Sequence, residues 1–198
     1  MSAALYAASA RKKSGIWTRA DSMDLLRCMD EVTIRAFTPA DTDWLVEQHQ
    51  ALYAVDEGFD DTFGPLVRDI LTKFCAERNP SCEAGWIAEH AGRPLGSIFC
   101  VRHDAETAKL RLFLLVPEAR GFGLGQALLD TCTGFAQRVG YRGMTLWTHE
   151  SHRAACALYE KNGWVLTEAV KVRSFGQDLV EQTWTLEFQT PKSSRDGG

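Results

Sequence analysis

Residues 117–126 read PEARGFGLGQ, a glycine-rich turn between a strand-like stretch and the first turn of an amphipathic helix. Its glycines, Gly121, Gly123 and Gly125, let backbone N–H groups approach a ligand closely. A helix N-terminus adds unpaired N–H groups and the positive end of the helix dipole, which favour a phosphate or pyrophosphate. Arg120 can add charge-assisted hydrogen bonds to the same anion. The stretch therefore predicts an anion-binding turn, and a turn that serves packing alone is the alternative.

Two common nucleotide-binding loops match this turn less well. The glycine spacing is GxGxG rather than the GxGxxG of dinucleotide-binding folds, and no acidic residue ends a following strand where a ribose would bind. A P-loop requires GKS or GKT, and neither occurs in the sequence. The pattern therefore favours neither a Rossmann fold nor a P-loop.

The chain before the turn is predicted to form a strand, two helices and three more strands. Thr38, Pro39 and Asp41 supply an N-cap, a first-turn proline and a capping-box acid for the first helix. Apolar residues at three- and four-residue steps between Phe63 and Phe74 predict the second helix. Short links between the three later strands favour antiparallel neighbours. The four strands read VTIRAF (32–37), GWIAEH (85–90), PLGSIFCVRH (94–103) and AKLRLFLLV (108–116).

After the turn, a helix ends at Gly140 and the strand MTLWTH (144–149) follows. This strand–helix–strand order predicts a right-handed parallel crossover. A fourth helix covers about 151–161, and the strands WVLTEAVKV (164–172) and LVEQTWTLEF (179–188) come last. The expected fold class is α/β: a mixed, mostly antiparallel seven-stranded sheet flanked by four helices, with a central parallel β-α-β crossover.

Length and composition indicate one domain, over residues 31–190, with a poorly ordered extension at 1–30 and a flexible tail at 191–198. Lys plus Arg number 22 and Asp plus Glu 26, a net charge of −4 that argues against nucleic-acid binding. The sequence also predicts no membrane span. The six cysteines form no CxxC pair, and with no convincing signal peptide the expected location is cytoplasmic.

The hexamer from Arg120 to Gly125 resembles the cofactor loop of the GCN5-related N-acetyltransferases, which reads Q or R, x, x, G, x, G or A. The resemblance extends over residues 31–188 and includes LFLLVP before the loop, FAQRVGY after it, the strand LWTH and the helix end ALYEKNGW. It implies an acetyl-CoA-binding fold in which two central parallel strands diverge and admit the pantetheine arm.

The resemblance also implies roles for particular residues. Backbone groups of Leu114 and Val116 would bind the pantetheine amides, and Tyr159 would face the thioester sulfur. His149 stands where similar domains often have Asn; it would replace the polar contact of that Asn to the cofactor or titrate near neutral pH. The turn that would hold the pyrophosphate consists of Arg120, Gly121, Phe122, Gly123, Leu124, Gly125 and Gln126.

Acetyl transfer to an amine requires two proton transfers. An alkylammonium with a pKa of about 10 cannot attack a thioester until a base or water chain removes its proton, and the departing thiolate gains from an acid. Tyr159 is the predicted acid because a phenol can donate while un-ionised at neutral pH. Its position in line with Ala155 and Leu158 is also compatible with simple core packing. The base stays open among Glu57, Asp60, Asp61, Asp104, Glu106, His149 and Glu150.

Residues of the first two helices are candidates for an acceptor pocket. Trp44, Tyr53, Phe59 and Phe63 would line an aromatic pocket or serve as helix core. The acids at 56–61 would attract a cationic amine or only increase solubility. His149 and His152 have no third ligand at metal-binding spacing, so no metal is expected.

The predicted function is transfer of acetyl from acetyl-CoA to a primary amine of a small molecule or protein, by direct attack in a ternary complex. SFGQDLVEQTW (174–184) resembles acetyltransferase domains fused to MarR-type regulators, so an acyl-CoA-binding regulatory module with little transfer activity is the alternative. No DNA-binding half is expected within these 198 residues. Residues 180–188 could form an exposed edge strand that pairs between subunits of a homodimer.

Overall fold

A computed structural model describes residues 32–189, which form seven strands and four α-helices. The predictions for 1–30 and 191–198 lie outside these residues. The strands are β1 (Thr33–Ala36), β2 (Ala84–His90), β3 (Arg93–Arg102), β4 (Thr107–Leu115), β5 (Gly143–His149), β6 (Val165–Ser174) and β7 (Gln177–Glu187). The helices are α1 (Thr42–Asp56), α2 (Phe63–Glu77), α3 (Leu124–Arg138) and α4 (Arg153–Lys161). The predicted fold class and order of elements are confirmed.

The strands form one sheet in the order β1-β2-β3-β4-β5-β7-β6. Among the described strands, β4 and β5 pair in parallel and the other neighbours are antiparallel. The prediction of an exposed edge strand at 180–188 is wrong, because β7 lies between β5 and β6. The edges are β1 and β6, so a homodimer built on strand pairing would have to use one of them.

The helices cover the two faces of the sheet in pairs. Leu128 and Leu129 of α3 pack with Ile98 and Leu110 of the sheet in a cluster that also contains Tyr159 of α4. Residues of α1 and α2 pack with Ile87 and Phe99 on the other face, since neighbouring strand residues point to opposite sides. The turn before α3 and the C-terminal end of β5 therefore lie between two helical layers.

The central strands separate partway along their length. β4 pairs with β5 from Thr107 to Leu110 and no further, although β4 continues to Leu115 and β5 to His149. Opposite β3, strand β4 carries one extra residue, a β-bulge at Leu112 and Phe113. Leu112 has a φ of +48°, in the left-handed region that bulky residues rarely adopt. Because a bulge bends its strand, β4 turns away from β5 and leaves a gap at their C-terminal ends.

A buried side chain holds the bulge. Ser97 on β3 is fully buried, and its hydroxyl donates a 2.6 Å hydrogen bond to the carbonyl of Leu112. No helix within residues 32–189 is long and apolar enough to cross a membrane.

Replacement of this serine tests the importance of the bulge. We expect Ser97→Ala to lower the free energy of unfolding by about 1–3 kcal/mol, because the Leu112 carbonyl loses a donor in a part-buried site. Urea denaturation measures the loss. Thr133→Ala is the matched control: its hydroxyl donates to the Leu129 carbonyl inside α3, and we expect a change within about 0.5 kcal/mol. Equal stability of Ser97→Ala and the parent would contradict this role for Ser97.

Candidate active site

The glycine-rich turn has an open side. Gly121 and Gly123 have φ angles of +86° and +80°, and Gly123 is the N-cap of α3. A Cβ atom at either position would meet no protein atom within 4 Å. The Ala127 amide donates to the Gly123 carbonyl at 3.1 Å, so the amides of 124–126 precede the first helical hydrogen bond and can bind a ligand. The turn therefore has the backbone shape that an anion requires.

Gly125 has a different role from the other two glycines. A Cβ there would lie 3.3 Å from a methyl of Leu115 and 3.5 Å from one of Leu158. Its lack of a side chain therefore lets the start of α3 approach β4 and α4 closely.

The two polar side chains of the turn already have partners within the protein. The Arg120 guanidinium is half exposed and lies 3.5 Å from Asp56 and 3.3 Å from the Leu115 carbonyl. The Gln126 amide exchanges hydrogen bonds of 2.7 and 3.0 Å with Asn162 at the end of α4. Arg120 can turn toward an anion from this position. The side chain of Gln126 is held by Asn162, so Gln126 would bind an anion through its backbone N–H.

The backbone of β4 corrects one predicted contact. The Val116 amide donates to the Leu95 carbonyl at 2.9 Å, and the Val116 carbonyl accepts from Ala119 at 3.0 Å. The Val116 N–H is therefore not available to a pantetheine arm, and Leu114 faces β3 in the same way because it lies two residues away, opposite Ser97. Backbone groups of neighbouring residues point to opposite sides, so those of Leu115 face the gap.

A cavity of about 160 Å³ passes through the sheet at this gap. Val67 and Ile70 of α2 line it from one face, and Ala155 and Tyr159 of α4 line it from the other. The strand residues at its wall are Lys109, Leu110, Arg111, Leu112 and Phe113 of β4 and Trp147 and Thr148 of β5. The cavity therefore has lining residues from both faces of the sheet at the gap between β4 and β5.

Tyr159 lines the cavity and is also part of the hydrophobic core. It is 3% exposed and contacts the rings of Phe113, Trp164 and Trp184. Burial raises the pKa of its phenol far above the usual value of 10. The hydroxyl therefore stays protonated at neutral pH and can act as a proton donor.

Three side chains form a hydrogen-bonded chain at the end of β5. His152 Nδ1 lies 3.2 Å from the Thr148 hydroxyl, and its Nε2 lies 3.2 Å from a carboxylate oxygen of Glu57. Ser151 also donates to Glu57, at 2.5 Å. Thr148 and His152 line the cavity. The sequence pointed to Glu57 as one open candidate but did not pair it with His152, because the two are 95 positions apart.

His149 is 1% exposed beside the rings of Phe59, Trp147 and His152. Neither ring nitrogen has a hydrogen-bond partner within residues 32–189. Burial, reinforced by His152, lowers its pKa to about 4. The ring is neutral at pH 7, so the interpretation of His149 as a group that titrates near neutrality is wrong, and a polar contact to the cofactor stays a prediction.

His49 was not among the predicted site residues. Its Nδ1 lies 2.8 Å from the Leu45 carbonyl in α1, so it is the nitrogen that donates. Burial lowers the pKa of the ring to about 4. The ring lines the cavity. A buried histidine on the apolar face of a helix carries no sequence signal that separates this position from ordinary core.

The predicted aromatic pocket is present in part. Tyr53 and Phe63 stack at 4.5 Å and line the cavity, whereas Trp44 and Phe59 are not among its lining residues. The acidic loop beside them is largely paired: Asp56 with Arg120, Glu57 with His152, and Asp60 with Thr62.

Other predicted candidates for the base are remote from the cavity. Asp104 accepts from the amides of residues 106 and 107, and Glu106 pairs with Arg142, at the end of the sheet where β4 and β5 are still joined. No cluster of three His, Cys, Asp or Glu side chains that could hold a metal occurs in the described part of the chain.

Known proteins share this architecture. The acetyltransferase (GNAT) family matches residues 42–164. An uncharacterized N-acetyltransferase of Methanocaldococcus jannaschii is 24% identical over 156 residues, which are 76% of this chain and 68% of that protein.

Two solved structures show the same fold. An acetyltransferase from Streptococcus agalactiae has a TM-score of 0.67 at 21% identity, over 80% of this chain and 99% of that one. A protein from Salmonella typhimurium with its cofactor acetyl-CoA has a TM-score of 0.61 at 18% identity, over 82% of this chain and 98% of that one.

The family match covers most of the chain and contains the glycine turn, the diverging strands and Tyr159. The chain is therefore an enzyme that belongs to the acetyltransferase (GNAT) family.

Proposed function

We propose that this enzyme transfers the acetyl group of acetyl-CoA to a primary amine by direct attack, with both substrates bound. The observation that carries the proposal is the cavity that crosses the sheet where β4 and β5 diverge. It joins the side of the glycine turn and Tyr159 to the side of α1 and α2. None of the cysteines within the described residues lines it, which favours direct attack over a cysteine-bound acetyl group.

The turn and the strand beyond it fit acetyl-CoA. The open positions above Gly121 and Gly123, with the amides of 124–126, suit a pyrophosphate. The Leu115 amide, left unpaired by β5, suits a pantetheine carbonyl in place of the groups of Leu114 and Val116. The Leu115 carbonyl suits a pantetheine N–H when Arg120, which now donates to it, turns toward the pyrophosphate. Acetyl-CoA, when bound, supplies the thioester that the amine attacks. The Salmonella typhimurium protein with its cofactor acetyl-CoA supports this choice of donor.

Thr148, His152 and Glu57 provide a path for the amine proton. With Nε2–H donated to Glu57, the lone pair of His152 Nδ1 accepts the hydrogen of the Thr148 hydroxyl. The Thr148 oxygen can then receive a proton from the ammonium group while its own proton passes to His152. The Glu57 carboxylate stabilises the imidazolium that results.

Tyr159 supplies the second proton transfer. Its phenol would donate a proton to the departing sulfur of CoA. The ammonium nitrogen loses two protons in all. The first passes through Thr148 to His152 before attack and is then released to solvent; the second leaves the tetrahedral adduct by the same path and returns through solvent to the tyrosinate, so one proton is released for each acetyl group transferred.

A regulatory module that binds acyl-CoA is the second candidate. It rests on the resemblance of 174–184 to domains fused to MarR-type regulators. Measurement of CoA release over a panel of amines separates the two functions, because a sensor binds acetyl-CoA without turnover.

The glycine turn can be tested by a matched pair of substitutions. Gly123→Ala adds a methyl group to empty space at a φ of +80°, at a backbone cost of about 1–2 kcal/mol. Gly140→Ala at the far end of α3 has the same features, with a φ of +95° and no atom within 4 Å. We expect similar losses of stability, but a loss of acetyl-CoA affinity for Gly123→Ala alone, in thermal-shift titrations with acetyl-CoA, CoA and NAD. Parent-like acetyl-CoA affinity of Gly123→Ala would contradict the pyrophosphate site.

The role of Tyr159 as the general acid can be tested by replacing it with phenylalanine, which removes only the hydroxyl oxygen. We expect Tyr159→Phe to lower kcat about 100-fold and to leave the Kd of acetyl-CoA within about threefold, because the hydroxyl acts on the leaving group. CoA release at saturating amine measures kcat. Tyr141→Phe makes the same change at a buried tyrosine that does not line the cavity, and kcat should stay unchanged. An undiminished kcat for Tyr159→Phe would exclude Tyr159 as the acid.

The role of His152 and Glu57 in accepting the amine proton can be tested by the pH dependence of kcat. Burial holds the pKa of His152 below 6.5, and the nearby carboxylate of Glu57 counteracts that shift. His152 must be neutral to accept a proton, so kcat should fall as the pH drops below 6.5. Glu57→Gln removes the counteracting charge and should move this fall to lower pH while it reduces the plateau. Asp61→Asn, an exposed acid in the same loop, should leave the profile in place. Superimposable profiles for Glu57→Gln and the parent would contradict the relay.

A further inference from the structure

Two basic side chains lie side by side in the wall of the cavity. Lys109 and Arg111 are two residues apart on β4, so they point to the same face of the sheet. Both line the cavity together with Leu66 and Ile70 of α2. Each is partly buried, and burial lowers the pKa of both groups; the charge of Arg111 lowers that of Lys109 further.

Neither cation has a carboxylate partner within residues 32–189. Three acids near the cavity have other partners: Glu57 with His152, Asp56 with Arg120, and Glu181 with the indole N–H of Trp147. Other arginines of the described chain do have acidic partners, as Arg35 does with Asp41 and Glu89. Two neighbouring, partly desolvated positive charges without a counter-charge are unfavourable in the free protein, and a bound anion would compensate them.

Lys109 and Arg111 lie at the point of β4 where its pairing with β5 ends, near the proposed site of acetyl transfer. Lys109 lies where β4 still pairs with β5, opposite Thr145, and Arg111 is the first residue beyond the last pair. Thr148 lies two residues past that last pair on β5, about 7 Å along the strand. Alternate residues of a strand share a face, so Lys109 and Arg111 lie on the α2 side of the sheet and Thr148 lies on the side of Leu146. An acceptor held by the two cations would therefore extend through the gap toward Thr148.

We propose that Lys109 and Arg111 bind an anionic group of the acetyl acceptor, which is a small amine that also carries a carboxylate. The inference rests on the proposed function and narrows its acceptor class. The guanidinium of Arg111 presents paired N–H donors that match a carboxylate. The aliphatic side chains of Leu66 and Ile70 provide an apolar surface for the body of the same molecule. The cavity of about 160 Å³ suits an acceptor of amino-acid size.

Matched acceptors test the charge requirement. Leucine, leucinamide and 3-methylbutylamine share one apolar body and differ in the presence of the carboxylate; O-phosphoethanolamine and ethanolamine form a second pair that tests phosphate. We expect kcat/KM for leucine to exceed that for leucinamide by about 10- to 100-fold, the worth of hydrogen bonds to a charged group. A preference for O-phosphoethanolamine over leucine would overturn the choice of carboxylate. Equal kcat/KM for leucine and leucinamide would overturn the proposal.

Substitutions of Lys109 and Arg111 test whether these side chains cause the preference for an acceptor with a carboxylate. Arg111→Gln and Lys109→Gln should each reduce the ratio of kcat/KM for leucine to that for leucinamide by about 10-fold or more. Arg173→Gln, an exposed arginine at the end of β6, should leave the ratio unchanged. An unaltered ratio in both cavity variants would show that the carboxylate binds elsewhere.

A binding measurement separates failure of this inference from failure of the proposed function. N-acetylleucine added with CoA should raise the Tm of the parent and should raise that of Arg111→Gln much less, whether or not turnover occurs. Turnover with neutral amines but no such shift would overturn the carboxylate site and leave acetyl transfer in place. Absence of CoA release with every amine would instead count against the proposed function.

Discussion

The divergence of β4 from β5 is the constraint on which the rest of this structure depends. The pairing of the two strands ends at Leu110 and Leu146 because β4 accommodates an extra residue at Leu112 and Phe113. The hydrogen bond from Ser97 to the Leu112 carbonyl holds that bend from the neighbouring strand. One local irregularity thus produces two features together: a backbone edge without a partner strand, and a passage between the two faces of the sheet.

Burial then sets the protonation state of the groups in and beside the passage. Removal from water disfavours the charged form of any group, so the phenol of Tyr159 stays protonated while the imidazoles of His49 and His149 stay neutral. His152 differs because the carboxylate of Glu57 contacts its ring and partly offsets the same effect. In the proposed mechanism, the phenol of Tyr159 is the proton donor and the ring of His152 is the proton acceptor in this cavity. Burial also lowers the pKa of Lys109 and of Arg111, and neither side chain has a carboxylate partner in the described chain.

Local sequence signals predicted the helices and strands along the chain well, but they predicted less well which strands lie side by side in the sheet. The capping residues Thr38 and Asp41 bond as expected, with the Thr38 amide 2.8 Å from the Asp41 carboxylate. The strand at 180–188 was expected at an edge, yet its Trp184 is buried between β5 and β6. Alternation of apolar residues shows which face of a strand is covered, but it does not show which strand lies beside it.

The residues of the site also form two groups: those that local sequence signals predicted, and those that depend on which elements lie side by side. By itself the sequence determined the order of strands and helices, the glycine turn before α3 and the place of Tyr159 near the end of α4, because these depend on periodicity and on short motifs. Only the tertiary structure decided that Leu115, rather than Leu114 and Val116, faces the gap, because that depends on the register with β3. It also decided that Glu57 meets His152, since side chains so distant along the chain come together only after the sheet has formed and both helical layers have packed on it.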